Sequence, residues 1–294
     1  MQYRIALPYP NMTYLPYYVA VDKGFCADEN VNFEYFHVKG GKTAINKLFL
    51  NGEIDFLYAL WEMVELNLEG HGEIKGLCGN VAESNFLFVR PEIKTAADLK
   101  SKTIIAGVAG SGSEVQVRYG LKLADLDPDK DVNLIGGDYI ERVHAFENAA
   151  IDGCQDRLQT WYFAKKAGWN YLKFPDPSVL TDSGGLSTTL KMIKENPEVV
   201  GKVVKAIVRA TKFIKENREE AIDVASKLID YMSREDIAGQ YDILRDCYSA
   251  DIAPVSINFM VAATADFLNV QNRPKFEDLV ELSFLNKAKA ELGL

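Results

Sequence analysis

The stretch TIIAGVAGSGSEVQVRYGLKLADL, Thr103 to Leu126, constrains this chain more than any other. Thr103 to Val108 is short, apolar and partly β-branched, and Gly107 and Gly110 close it, which is the pattern of a buried strand. Ser111, Gly112 and Ser113 then open a helix whose apolar positions are Val115, Val117, Leu121 and Leu123. Ser111 or Ser113 can cap the free N–H groups at its start. Glycine lets a ligand approach the backbone, and the partial positive charge of a helix N-terminus favours a carboxylate, sulfonate or phosphate there. The bland alternative is a capped turn that binds nothing.

Two sharper readings of the same glycines fail. Gly107 and Gly112 have phosphate-loop spacing, but Ser113 stands where that loop needs lysine. A dinucleotide fingerprint needs a third small residue where Val115 stands, and Asp125 to Asp131 reads as a loop.

The remaining chain alternates strands and helices. Tyr3 to Leu7 is a first strand, followed by the tyrosine-rich loop PYPNMTYLPYY and a short helix ending near Gly24. Of Tyr9, Tyr14, Tyr17 and Tyr18, one or two are expected to face a ligand and the others to pack. Val31 to Val38 is a second strand, and Gly40-Gly41 turns the chain into a helix from Lys42 to Leu50. Strands at Ile54 to Ala59, Ile74 to Cys78 and Phe86 to Val89 and a helix at Trp61 to Leu68 follow. Arg90-Pro91 and the capped turn from Thr95 to Leu99 mark a crossover to a second lobe. That lobe adds a strand at Val132 to Ile135 and a helix from Tyr139 to Ile151. From Asn196, expected to cap a helix with Pro197 in its first turn, the chain is mostly helical, with Ser233 and Asp236 a further cap pair. Such alternation implies an α/β protein with mixed, mainly parallel sheets and a helical C-terminal third.

A repeat is visible. Gly52-Glu-Ile-Asp55 leads through a strand to Trp61, and Gly153-Cys-Gln-Asp156 leads through a strand to Trp161. If each lobe carries one such unit, the strand ends of both face one cleft, although G-x-x-D also recurs by chance.

Composition closes other routes. The chain has 294 residues, 48% hydrophobic, enough for a large core in two lobes. A net charge of −9 argues against a nucleic-acid surface. Cys26, Cys78, Cys154 and Cys247 are scattered, so no zinc or dithiol motif is formed and no cofactor is expected. No apolar run approaches the roughly 18 residues of a membrane span. With no secretory leader in the sequence, the chain is either cytoplasmic or a mature extracytoplasmic domain.

The order of the segments YYVAVDKGFCADENVNFEY, VKGGKTAINKLFLNGEIDFLYA, DLKSKTIIAGVAGSGSEVQVRYGL, AIDGCQDRLQTWYFA and KENPEVVGKVVKAIVRAT resembles the type II periplasmic binding proteins that bind sulfonate, nitrate, taurine and the thiamine pyrimidine. The resemblance covers nearly the whole chain. It implies two lobes joined by crossover strands, with residues 1–90 and 183–294 forming one and 91–182 the other. It also implies hinge closure on a small-molecule ligand, a monomer, and a membrane permease as partner. Carried over by position, the ligand contacts are Tyr9, Asn11, Thr13, Tyr14, Gly40, Gly41, Leu60, Trp61, Ser111, Gly112, Ser113, Asp156, Arg157 and Trp161. Arg157 departs from the family pattern, which has a small residue there. It either pairs with a ligand carboxylate or points to solvent. With the aromatic residues it favours a small organic anion, aromatic, carboxylate or sulfonate.

The same fold carries pyrimidine synthases, lyases and a decarboxylase, so catalysis has to be argued from side chains. His37, beside Gly40-Gly41, is the one candidate base, and a lone strand-end histidine is more often structural. His71 and His144 read as surface or helix residues. The segment SVLTDSGGLSTTL lacks the cysteines of an iron-binding synthase, and Ser187, Thr188 and Thr189 there can bond ligand or backbone. A solute-binding protein therefore ranks ahead of an enzyme on the same scaffold, and of a ligand-sensing regulator.

Overall fold

A computed structural model describes residues 2–172 and 181–294, with the side chains of 83–85 and 181–183 left aside. In chain order the strands are β1 (Gln2–Leu7), β2 (Asn32–His37), β3 (Leu57–Ala59), β4 (Ile74–Val89), β5 (Thr103–Ala106), β6 (Asn133–Gly136), β7 (Gly153–Arg157), β8 (Asn170–Leu172) and β9 (Thr181–Thr189). The helices of the first half are α1 (Leu15–Asp22), α2 (Phe25–Asp28), α3 (Gly41–Leu50), α4 (Leu60–Leu68), α5 (Gly112–Leu123), α6 (Tyr139–His144) and α7 (Trp161–Lys166). The second half adds α8 (Leu190–Glu195), α9 (Pro197–Glu216), α10 (Arg218–Leu228), α11 (Arg234–Leu244), α12 (Pro254–Phe267), α13 (Phe276–Leu279) and α14 (Ser283–Leu292). The α/β class, the mixed sheets and the helical C-terminal third are as read from the sequence.

Parallel pairing joins β1 to β2, β5 to β6 and β5 to β7. Antiparallel pairing is more extensive than simple alternation predicts, because two long strands carry it. Sixteen-residue β4 replaces the two separate strands expected at 74–78 and 86–89. Its first part, Ile74 to Ser84, pairs with β9, and its last part, Asn85 to Val89, pairs with β7. The polar and small residues from Gly79 to Asn85 interrupt the apolar pattern, so the sequence reads as a break where the backbone ladder continues. At about 3.3 Å per residue β4 spans roughly 50 Å, long enough to belong to both halves of the sheet. β1 and β2 form a two-stranded sheet, and the other strands form one of order β3-β9-β4-β7-β5-β6 with β8 also paired to β4.

Helix α9 supplies much of the first lobe's core. Val200, Val203, Val204, Ile207, Val208 and Ile214 form one buried stripe, each side chain contributing roughly 1.5–3 kcal/mol of hydrophobic stabilisation. Its expected side-chain cap is not made. Asn196 closes α8 through its backbone N–H to the Met192 carbonyl, and its amide turns back to the Met192 sulfur at 3.5 Å. Ser233 does cap α11, accepting from the Asp236 N–H at 3.1 Å. The second lobe has its own aromatic cluster, in which Phe88, Phe146 and Trp169 surround the buried Cys154.

The start of the SVLTDSGGLSTTL segment, residues 178–180, lies outside the described residues. Of its remainder, Thr188 donates to the Asp55 carbonyl at 2.6 Å and Thr189 caps α8 by accepting from the Met192 N–H at 3.0 Å. Both hydroxyls serve the backbone. Ser187 is fully buried, and its hydroxyl has no hydrogen-bond partner.

Candidate functional site

Two groups of side chains gather where the lobes meet. The first begins after β1. Asn11 shapes this loop: its Oδ1 accepts from the Thr13 N–H at 2.8 Å and caps the single 3-10 turn Met12–Tyr14. Thr13 is tied down as well, its hydroxyl donating to Gln159 Oε1 at 3.4 Å and its carbonyl accepting from Asn80 at 3.2 Å. Asn11 and Thr13 thus build the loop that presents Tyr9 and Tyr14. Tyr9 stacks on Tyr139 of α6, ring centroids 5.3 Å apart, and Tyr231 closes on Tyr139 edge-on at 6.5 Å while donating to the Pro10 carbonyl. Tyr14 stands edge-on to Tyr58 at 5.4 Å.

Below these rings lies a buried ion pair. Asp156, 1% exposed in β7, accepts from the Arg157 N–H through Oδ1 at 2.8 Å. Its Oδ2 is 3.5 Å from Arg142 Nε on α6, too far for the 2.7–2.9 Å bond usual between guanidinium and carboxylate. Arg142 Nε and Nη1 and Asp156 Oδ2 are buried without a hydrogen-bond partner, while the hydroxyls of Tyr139 and Thr160 face each other. On α4 the buried Glu62 accepts from the Tyr58 hydroxyl at 2.8 Å through Oε1, and its Oε2 has no partner. Burial is the leading cause that pushes the Tyr9 phenol up to about 12, with Arg142 opposing and Asp156 reinforcing it. It raises Tyr14, Tyr58 and Tyr139 well above the ordinary phenol value too. Arg157 is half-buried, and its charge opposes that rise at Tyr9, Tyr14, Tyr17 and Tyr58.

The second group surrounds the start of α5. Ser111 caps the helix, its Oγ accepting from the Glu114 N–H at 3.3 Å. The Glu114 carboxylate folds back to accept from the Gly110 N–H at 2.5 Å, so this turn carries an internal anion. Ser113 is half-buried behind it. The Trp61 indole lies against Gly112, where a Cβ would stand 2.8 Å from Cδ2, and its other side meets Phe259 edge-on at 5.9 Å. Gly40 and Gly41 have φ of +100° and +59°, two left-handed residues in succession that suit glycine. They aim Lys42, which holds both Glu65 oxygens at 2.5 and 2.7 Å and donates to the Gly110 carbonyl.

Two predicted residues stand apart from these groups. Leu60 is fully buried against Gly76 and Gly185 of the β4–β9 ladder. Trp161 stacks on Phe88 at 5.9 Å and meets Tyr171 edge-on at 5.6 Å, within the second lobe's aromatic cluster. His37 keeps one side open to solvent, with Nε2 3.3 Å from the Tyr18 hydroxyl, and partial desolvation of its ring lowers its pKa. Sequence reasoning missed Lys42, Tyr58, Glu62, Tyr139 and Arg142. For the last two a signal existed: residues three apart on a helix share a face, and here both are buried.

Among the described residues no group of three or more His, Cys, Asp and Glu side chains can hold a metal ion, and no helix is long and apolar enough to cross a membrane. Burial pushes the Cys26 and Cys78 thiols up to about 12 and Cys154 well above its ordinary value.

With this geometry in view, comparison with known proteins is informative. The family model described as NMT1/THI5 like matches residues 11–221, more than half of the chain. The chain belongs to the NMT1/THI5-like family. Among relatives of this family member, a Bacillus subtilis (strain 168) protein, YtlA, whose name marks it as a candidate binding protein, is 24% identical over 221 residues. That match takes in 73% of this chain and 66% of YtlA, just under two thirds of its length. A structure titled as a periplasmic sulfonate-binding protein of a sulfonate ABC transporter, from Methylobacillus flagellatus KT, superposes with a TM-score of 0.78 at 17% identity, covering 100% of this chain and 95% of that one. The periplasmic nitrate-binding protein NrtA of Synechocystis PCC 6803 gives 0.75 at 14% identity, covering 99% and 89%. At such identities the likeness establishes the fold, which is the two-lobed one of type II periplasmic binding proteins.

Proposed function

We propose that this chain is the substrate-binding component of an ABC-type importer, holding a small organic anion, aromatic, carboxylate or sulfonate, in the cleft between its lobes. The observation that carries this reading is the set of buried polar atoms without hydrogen-bond partners on Arg142, Asp156 and Glu62, around one tyrosine-lined junction. Folded proteins pair nearly all such groups, so a concentration of them at one place is what a polar ligand would complete. The aromatic faces of Tyr9 and Tyr14 supply apolar contact, and the positive charge of Arg142 beside Tyr9 supplies attraction for an anion. The sulfonate- and nitrate-binding proteins that share the fold support the importer role.

In this reading residues 1–90 and 183–294 move as one lobe and 91–182 as the other, and ligand shifts the population toward the closed form. The chain works as a monomer on the outer side of the membrane and delivers its ligand to a membrane permease. Native mass spectrometry of gently purified protein, followed by denaturation and small-molecule analysis, tests this. One organic anion, released unchanged after incubation, is the expected result. A mixture of substrate and product, or conversion with time, would replace the importer by an enzyme on the same scaffold.

A further inference from the structure

The partnerless atoms are not all of one kind. Arg142 Nε and Nη1 only donate and Asp156 Oδ2 only accepts. Donor and acceptor are close neighbours, since Arg142 Nε lies 3.5 Å from Asp156 Oδ2, and both residues are more than nine-tenths buried. They sit on α6 and β7, near Tyr9, whose ring stacks on Tyr139 of the same helix as Arg142.

Resting on the solute-binding reading, we infer that the ligand group held between Arg142 and Asp156 is a neutral edge with an N–H donor beside a carbonyl-type acceptor, as in a carboxamide or ureido group. A bare oxyanion offers acceptors alone. It would suit Arg142 but face the Asp156 carboxylate, leaving Oδ2 buried, unpaired and beside a like charge. A bare cation reverses the fault. The neutral edge satisfies both side chains at once, and because Arg142 and Asp156 already balance in charge, it brings no uncompensated charge into the buried site.

Calorimetric titration of the full chain with benzamide, benzoate and benzenesulfonate tests the assignment. Benzamide is expected to bind about tenfold more tightly than either anion, because only it pairs both buried groups. Asp156→Asn, which removes the full acceptor and adds a donor, is expected to bring the three within about threefold of one another. If Asp156→Asn does not fold, Tyr139→Phe supplies the second comparison, with a several-fold loss of benzamide affinity and an unchanged melting temperature. Tighter binding of benzoate or benzenesulfonate by the natural chain, or an amide preference indifferent to both substitutions, overturns the assignment. If none of the three probes binds while an organic anion without such an edge is released on native mass spectrometry, the assignment falls and the importer reading stands. If nothing is bound in either measurement, both fall.

Discussion

The indole of Trp61 rests on the α-carbon side of Gly112, so close that a methyl group there would stand 2.8 Å from the ring. Trp61 lies in the first turn of α4 and Gly112 opens α5. The missing side chain at Gly112 is therefore what lets the two helices approach. Gly112→Ala is expected to cost about 1–3 kcal/mol of the folded form, as overpacking does. It should also lower ligand affinity by propping the lobes apart. Small-angle scattering and a thermal melt check both effects, and Trp61→Ala in the same chain should relieve the clash and recover the compact form.

Lys42 joins the Glu65 carboxylate to the Gly110 carbonyl, with both charged side chains only about a tenth exposed. Lys42→Met removes that link and leaves Glu65 buried without its cation. Burial already raises the Glu65 pKa with Lys42 opposing, so the carboxyl should rise further. The expected loss is about 2–4 kcal/mol in urea unfolding at pH 7, shrinking as the pH falls and Glu65 takes up a proton. Adding Glu65→Leu should restore most of the loss. A full loss that persists at low pH would mean that Glu65 is not the cause.

The thiols offer a chemical readout. Cys26 and Cys78 are buried and pushed up to about 12, and Cys154 is raised well above its ordinary value, so their thiolates are scarce at pH 8. Only the partly exposed Cys247 should react promptly with an aromatic disulfide reagent in the native chain, and all four cysteines should react in denaturant. Prompt labelling of two or more would show that the thiols are more accessible than their burial implies.

At acid pH one surface pair should register. Arg218 donates to both oxygens of Asp242 at 2.8 Å, and these bonds hold the Asp242 pKa below its ordinary value. A carboxylate depressed in the folded state contributes stability above its unfolded pKa and loses it as the pH falls through the folded one. Asp242→Asn should therefore lower the melting temperature slightly at pH 7 and leave it unchanged near pH 2. Equal effects at both values would contradict the linkage.

Local signals in the chain predicted local features well. The cap at Ser111 and the turn at Gly40-Gly41 that leads into α3 each rest on residues within a few positions of one another. What escaped is what depends on distant segments meeting. Lys42 reads as the exposed start of a helix until Gly110, 68 residues away, is laid over it. Arg142 reads as a helix-surface cation, because the carboxylate beside it comes from β7. The continuity of β4 was hidden for a related reason: its middle is polar, and its pairing is set by β9, more than 90 residues on. At the Ser111 turn the Glu114 carboxylate, one turn along, accepts from the Gly110 N–H, an internal contact the turn's glycines and serines do not announce.

Because β4 runs unbroken from its ladder with β9 into its ladder with β7, rotation between the two halves of the sheet is expected to appear as twist along this one strand. The change of partner falls between Ser84, the last residue paired with β9, and Asn85, the first paired with β7. The rate at which the backbone amides on either side trade protium for deuterium would gauge how often the cleft opens.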